Sequence, residues 1–255
     1  MLDPIDLLFF AGGLLAGVIN TMAGNGSALT VSLLLLGGMD GAVANATNRI
    51  GVVTQTLTSV SSLRKSKRKS YLFRAGKHLI LPTLLGSLAG GWLGASISAE
   101  GMEWSLAVVM LGMAGTLFWK TDRWGGPSWT KRALKPWQSG LLFFLIGFYG
   151  GYLQMGIGIL MLATLVLGDR WSIRDANVIK LVMAAVLAIP AGIIYLNSGL
   201  IEWRPGLILA LGSSIGAWFG ARYIVRIPKA QPFVRAVLVL VVLFGAFQAI
   251  YKALT

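Results

Sequence analysis

The chain has 255 residues, of which 56% are hydrophobic and only 12% charged, a balance too apolar for a soluble domain. It has no cysteine, which excludes disulfides and thiolate metal sites, and its lone histidine, His78, builds no metal site by itself. A net charge of +13 and the run Arg64-Lys65-Ser66-Lys67-Arg68-Lys69 would suggest nucleic acid in a soluble protein; between two apolar spans they read as an orientation signal.

In chain order, hydropathy places apolar segments near 4–22, 27–37, 42–63, 78–98, 102–119, 137–154, 157–167, 173–197, 205–222 and 232–251. At 1.5 Å per residue, about 20 residues cross about 30 Å of hydrocarbon. Segments 27–37 and 157–167 are too short to cross alone, so each is read as the second arm of a broken helix pair. The breaks are rich in glycine and amides: Asn20-Thr21-Met22-Ala23-Gly24-Asn25-Gly26-Ser27 and Gln154-Met155-Gly156-Ile157-Gly158. A bilayer offers no water to unpaired backbone groups, so such breaks persist only where protein or a substrate cavity satisfies them. Matching breaks in two halves point to a transporter site. The start, Met1-Leu2-Asp3-Pro4-Ile5-Asp6, lacks the basic region of a secretory signal, and the first span is expected to be retained.

The expected fold is an all-α integral membrane domain over 1–255. It comprises repeat 1 over 1–120, a cytoplasmic linker at 121–135 and repeat 2 over 136–255. Each repeat reads as a broken Gly-rich pair plus three full spans. Gly13 and Gly17 match the spacing of Gly147 and Gly151, Ala44-Asn45 matches Ala176-Asn177, and Asn20 corresponds to Gln154. If each broken pair enters and leaves on one side, the repeats are inverted. The basic loops 64–77, 120–135, 168–174 and 222–229 then become cytoplasmic, while 98–103, 197–202 and both termini lie outside a multi-pass cell (inner) membrane protein. Trp92, Trp104, Trp119, Trp124, Trp137, Trp171 and Trp203 fall near span ends as interfacial anchors.

All nine carboxylates, Asp3, Asp6, Asp40, Glu100, Glu103, Asp122, Asp169, Asp175 and Glu202, fall in loops or at span ends. The cations Arg49 and Lys180 instead lie about one and a half to two turns inside spans, at nearly equivalent places in the two repeats. A charge near the centre of a span costs at least about 2–3 kcal/mol, so it faces a cavity or a partner. An anionic substrate would serve. Snorkelling, or pairing with Asp40 and Asp175, is the competing reading. Backbone N–H groups at Gly24, Gly26, Gly156 and Gly158, with Asn20, Asn25, Ser27, Asn45, Asn48, Gln154 and Asn177, complete the candidate substrate-binding set. Taken singly, each amide also reads as a helix–helix hydrogen bond and each glycine as a packing contact. Tyr149 and Tyr152, beside the second break, could line the pathway or pack. The run Thr54-Gln55-Thr56-Leu57-Thr58-Ser59 is polar enough to face the protein interior.

The stretch from Gly13 to Ser27, followed by Ala44-Asn45-Ala46-Thr47-Asn48-Arg49, together with Gly147-Phe148-Tyr149-Gly150-Gly151 and Gly156-Ile157-Gly158, resembles the sulfite exporter TauE/SafE family of membrane permeases. The resemblance runs over the full length. It implies transport of small anions, often sulfur-containing, such as sulfite, thiosulfate or organosulfonates. No cofactor and no nucleic-acid partner are expected. The chain departs from the family pattern in having Gly24-Asn25-Gly26-Ser27 with no proline in Thr30-Val31-Ser32. The alternative within transport is an exporter of amino acids or other small metabolites. An intramembrane enzyme is disfavoured because no buried His, Asp, Glu or Cys stands near a nucleophile, and a scaffold would leave the breaks without a ligand. Lipid is the expected surround, and a homo-oligomer is left open.

Overall fold

A computed structural model describes residues 3–22, 24–62, 71, 74–117, 134–222 and 231–254. The basic cluster 64–69, the linker up to residue 133 with Trp119 and Trp124, and most of the loop 222–229 lie outside the described residues. The described residues form helices α1 (Pro4–Met22), α2 (Gly26–Leu36), α3 (Gly41–Ser62), α4 (Ile80–Ser96), α5 (Ala99–Leu117), α6 (Pro136–Tyr152), α7 (Ile157–Ala163), α8 (Ile173–Asn197), α9 (Trp203–Arg222) and α10 (Gln231–Leu254), with no strand among them. A 3₁₀ turn, Lys77–Leu79, leads into α4, and a π turn, Thr164–Gly168, extends α7. These helices coincide with the ten apolar segments to within a few residues. By length and composition alone, Pro4–Thr21, Arg74–Ser96 and Ile173–Asn197 can cross a membrane, and Gly26–Leu36 and Ile157–Gly168 are shorter apolar helices.

Apolar and polar groups are distributed opposite to a soluble protein. Large apolar side chains such as Leu81, Trp92, Val108, Trp137, Leu211 and Phe247 are exposed, whereas Asn45, Asn48, Arg49, Gln55 and Lys180 are buried. With hydrocarbon as solvent the outer face gains nothing from burial, and polar groups collect inside where they find partners.

Close helix contacts follow from small residues, because dispersion between backbones replaces a hydrophobic drive in lipid. On α1, a β-carbon at Gly13 or Gly17 would overlap the carbonyls of Leu209 and Ser213 on α9; Gly212 and Gly216 of α9 meet the Phe10 and Leu14 carbonyls in return. The α6 and α4 pair uses the same device. Gly147 and Gly151 lie on the Thr83 and Ser87 carbonyls, and Gly86 and Gly90 on those of Phe144 and Phe148. Helix α3 packs on both α9 and α8, α8 packs on α4, and α5 packs on α10. Within α8, Pro190 removes a backbone donor, and the Ser87 hydroxyl donates to the Leu187 carbonyl at 2.6 Å in the turn before it.

Candidate functional site

Helix α1 ends at Met22 and α2 begins at Gly26; α6 ends at Tyr152 and α7 begins at Ile157. The turns between them require unusual backbone, with φ of +84° at Gly24, +69° at Gly156 and +59° at the non-glycine Gln154. The two turns touch, since a β-carbon on Gly24 would overlap Gly158 and one on Gly158 would overlap Gly24.

Each broken helix leaves carbonyls with no donor in the following turn, and inside a membrane each such group costs several kcal/mol. At the end of α6, the Tyr149 carbonyl accepts from Leu153 N–H at 2.8 Å. Arg49 then supplies the next three. Its Nη1 donates to Gly150 O at 2.7 Å, and its Nη2 to Gly151 O and Tyr152 O at 2.8 Å each. Asn45 Nδ2 and the Tyr195 hydroxyl also donate to Tyr152 O, at 2.8 and 2.9 Å. The guanidinium carbon lies 4.6 Å from the Tyr195 ring centroid, adding a cation–π contact. The end of α1 is built likewise. Ile19 O accepts from Gly24 N–H at 3.2 Å, and Lys180 Nζ donates to Asn20 O and Thr21 O at 3.4 and 3.3 Å. Each cation thus caps the broken helix of the other half of the chain.

Beside the touching turns lies a narrow cavity. Asn20, Thr21, Gly24 and Ser27 line it from the first break, Gln154, Ile157 and Gly158 from the second. Helix α3 adds Val52, Gln55, Thr56 and Ser59, and α8 adds Lys180, Leu181 and Ala184. Two buried side-chain atoms on this lining have no protein partner, Gln154 Nε2 and Gln55 Oε1. Gln154 is oriented by Arg49, whose Nη1 donates to Gln154 Oε1 at 2.5 Å. The amide N–H₂ is left as the free end.

Of the residues selected from sequence, the cavity lining includes Asn20, Gly24, Ser27, Gln154, Gly158 and Lys180. Asn25, Gly26, Asn45, Asn48, Arg49, Gly156 and Asn177 lie outside that lining. Gly26 packs on the Ala16 carbonyl, and Gly156 faces Met113. Asn48 Oδ1 accepts from the Thr30 hydroxyl at 2.5 Å, and Asn45 Oδ1 accepts from Arg49 at 3.4 Å. Asn25 Oδ1 and Asn177 Oδ1 have no partner. Neither cation snorkels: Arg49 and Lys180 are each 1% exposed. Asp40 pairs with Lys252 at 2.8 Å, and Asp175 accepts from the Ser172 hydroxyl at 2.8 Å. Tyr149 braces the second break by donating to Met155 O at 2.7 Å, and the Tyr152 hydroxyl meets Ser105 at 2.5 Å; neither tyrosine lines the cavity.

Sequence reasoning left Gln55, Thr56 and Ser59 without a role. Their signal was present, because positions 52, 55, 56 and 59 fall on one face of a helix at i, i+3, i+4 and i+7.

Residues 9–248 match the sulfite exporter TauE/SafE family. The chain belongs to that family. It is similar to a "Probable membrane transporter protein" of Haemophilus influenzae, 27% identical over 250 residues that cover 97% of this chain and 96% of the relative. It is also similar to "Probable membrane transporter protein YfcA" of Escherichia coli K12, 27% identical over 94% of this chain and 88% of the relative. A Sinorhizobium protein named "Probable membrane transporter protein ORF9" is 22% identical over 91% of this chain and 87% of its own length. No solved structure matches. Family and helices together make this a membrane transporter, not an enzyme.

Proposed function

We propose that this TauE/SafE protein carries small oxyanions across the membrane by alternating access around the cavity between its two broken helices. Sulfur-containing anions such as sulfite, thiosulfate or an organosulfonate are the favoured class, in keeping with the family's description. The observation that carries this reading is the meeting of Lys180 and the unpartnered Gln154 Nε2 in one buried cavity, with no carboxylate among the described residues of its lining. A cation, an amide donor, the Ser27 hydroxyl and the first-turn N–H groups of α2 suit an acceptor-rich, negatively charged ligand.

The inverted-repeat organisation is part of the same proposal. In its favour, the first helix of each half packs through paired glycines on the penultimate helix of the other half, α1 on α9 and α6 on α4. Helices α3 and α8, and α5 and α10, pair with their own counterparts. Such an exchange is what two inverted repeats around an in-plane axis require, and in this reading the touching breaks lie near the bilayer midplane. Arg49 acts through α6 and Gln154 in this reading, and Lys180 meets the anion directly.

The test is ligand-induced thermal stabilisation of the purified protein with sulfite, thiosulfate, methanesulfonate and a panel of amino acids, since a ligand selective for the native state stabilises by mass action. Oxyanions are expected to raise Tm. Lys180→Gln should weaken their binding about tenfold to hundredfold, the scale of one charge-assisted hydrogen bond. Stabilisation by amino acids alone would favour the metabolite-exporter alternative.

A further inference from the structure

Among the described residues, Lys180 is the one ionisable side chain on the cavity lining. Among the described residues its ammonium is held by the Asn20 and Thr21 carbonyls alone, at 3.4 and 3.3 Å, longer than a good N–H···O bond. No described carboxylate is within salt-bridge reach of it. The titratable and charged groups on the elements packed against α8 are engaged elsewhere or remote. On α3, Arg49 is committed to the α6 carbonyls; on α6, the Tyr149 and Tyr152 hydroxyls bond Met155 and Ser105. Before α4, His78 is exposed and bonds Ala75, and after α7, Asp169 accepts from Ser139. On α8 itself Asp175 bonds Ser172 and Tyr195 bonds Tyr152 O, and Arg174 is exposed in the first turn.

The two capping cations therefore differ in kind. A guanidinium stays protonated, so Arg49 holds α6 whatever occupies the cavity. An amine can gain or lose its proton. A charge inside a membrane without a counter-charge is costly, and an anion in the cavity supplies that counter-charge. Protonation of Lys180 and anion binding then favour each other, because linkage is reciprocal.

We propose that this carrier moves a proton with its anion: Lys180 Nζ takes up one proton as the anion binds, crosses as the ammonium paired with it, and releases both, so that the empty carrier returns with a neutral amine. The proton comes from water on the loading side and goes to water on the release side, and no other bond changes. A monovalent anion then crosses without net charge, and a proton gradient drives its accumulation. The inference rests on the oxyanion-carrier reading.

Methanesulfonate is the probe, since its own charge is fixed across the pH range used. For the full chain, its Kd should rise by about tenfold per pH unit once the amine form predominates. Calorimetry in two buffers of different ionisation enthalpy should count up to one proton bound per anion over pH 6–10. In proteoliposomes an inward proton gradient should concentrate the anion. Lys180→Arg should bind with an affinity flat in pH and lose gradient-driven accumulation. Wild-type affinity flat over the whole range with no proton uptake overturns the proposal and leaves the carrier reading standing. So does pH dependence that persists in Lys180→Arg. Failure of sulfite, thiosulfate and methanesulfonate to bind at any pH overturns both. The wild-type measurements decide the matter even if the variant does not fold.

Discussion

Gly24 and Gly158 meet backbone against backbone, each occupying the space where the other's β-carbon would stand. Gly24 also has φ of +84°, whereas Gly158 is not among the positive-φ residues. An alanine at either position forces the turns apart at about 1–3 kcal/mol, and at Gly24 left-handed backbone adds about 1–2 kcal/mol. Gly24→Ala should therefore lower the thermal unfolding temperature in detergent more than Gly158→Ala does. The reverse order would mean that steric contact, not backbone conformation, dominates at this junction.

Arg49 spans three successive carbonyls and the Gln154 amide, partners about 100 residues away in sequence. Arg49→Gln should destabilise the protein by at least about 2 kcal/mol, because buried acceptors at the end of α6 lose their donors. Arg49→Lys should be intermediate, since an ammonium keeps the charge but not the fork. Stability is read by thermal unfolding and anion binding by calorimetry. Unchanged stability with abolished binding would return Arg49 to a direct role on the anion.

The proposed inverted arrangement predicts sidedness. A cysteine introduced at Gly199, in the loop carrying Glu202, should be labelled in intact cells by an impermeant thiol reagent; one at Arg170, in the loop before α8, should react only after permeabilisation. The chain's lack of cysteine makes the readout clean. Surface labelling at position 170 would defeat the topology.

Asp169 lies in the loop after α7, where burial raises its carboxyl above the usual range against the opposing Ser139 hydrogen bond and the His78 charge. The group holds its proton more tightly folded than unfolded. Its contribution is therefore fully present below the unfolded pKa and is lost as pH rises through the folded one. The Tm of wild type minus that of Asp169→Asn should fall as pH rises from about 3 to about 7. A difference that stays flat or grows would contradict the sign.

Asn20, Gly24, Ser27, Gln154 and Gly158 were legible in the sequence because each stands in a visible interruption of an apolar run, and Lys180 because it is a charge inside such a run; both are local signals. The polar face of α3 was legible as a face, from the spacing of Gln55, Thr56 and Ser59, but not as the wall of a particular cavity. Arg49 shows where such reading stops. In sequence it is the twin of Lys180, similarly deep in a span of the other half, and both qualify as anion-binding cations.

The sequence by itself determined the ten helices, the membrane setting and the two breaks, because apolar run length, glycine and amide content act over a few neighbouring residues. Only the tertiary structure decided which cation faces the cavity. The carbonyls left bare at the end of α6 take up the Arg49 guanidinium, whereas those at the end of α1 hold Lys180 by two long bonds and leave its ammonium on the cavity wall. Those partners come from opposite halves of the chain, and hydropathy carries no record of them.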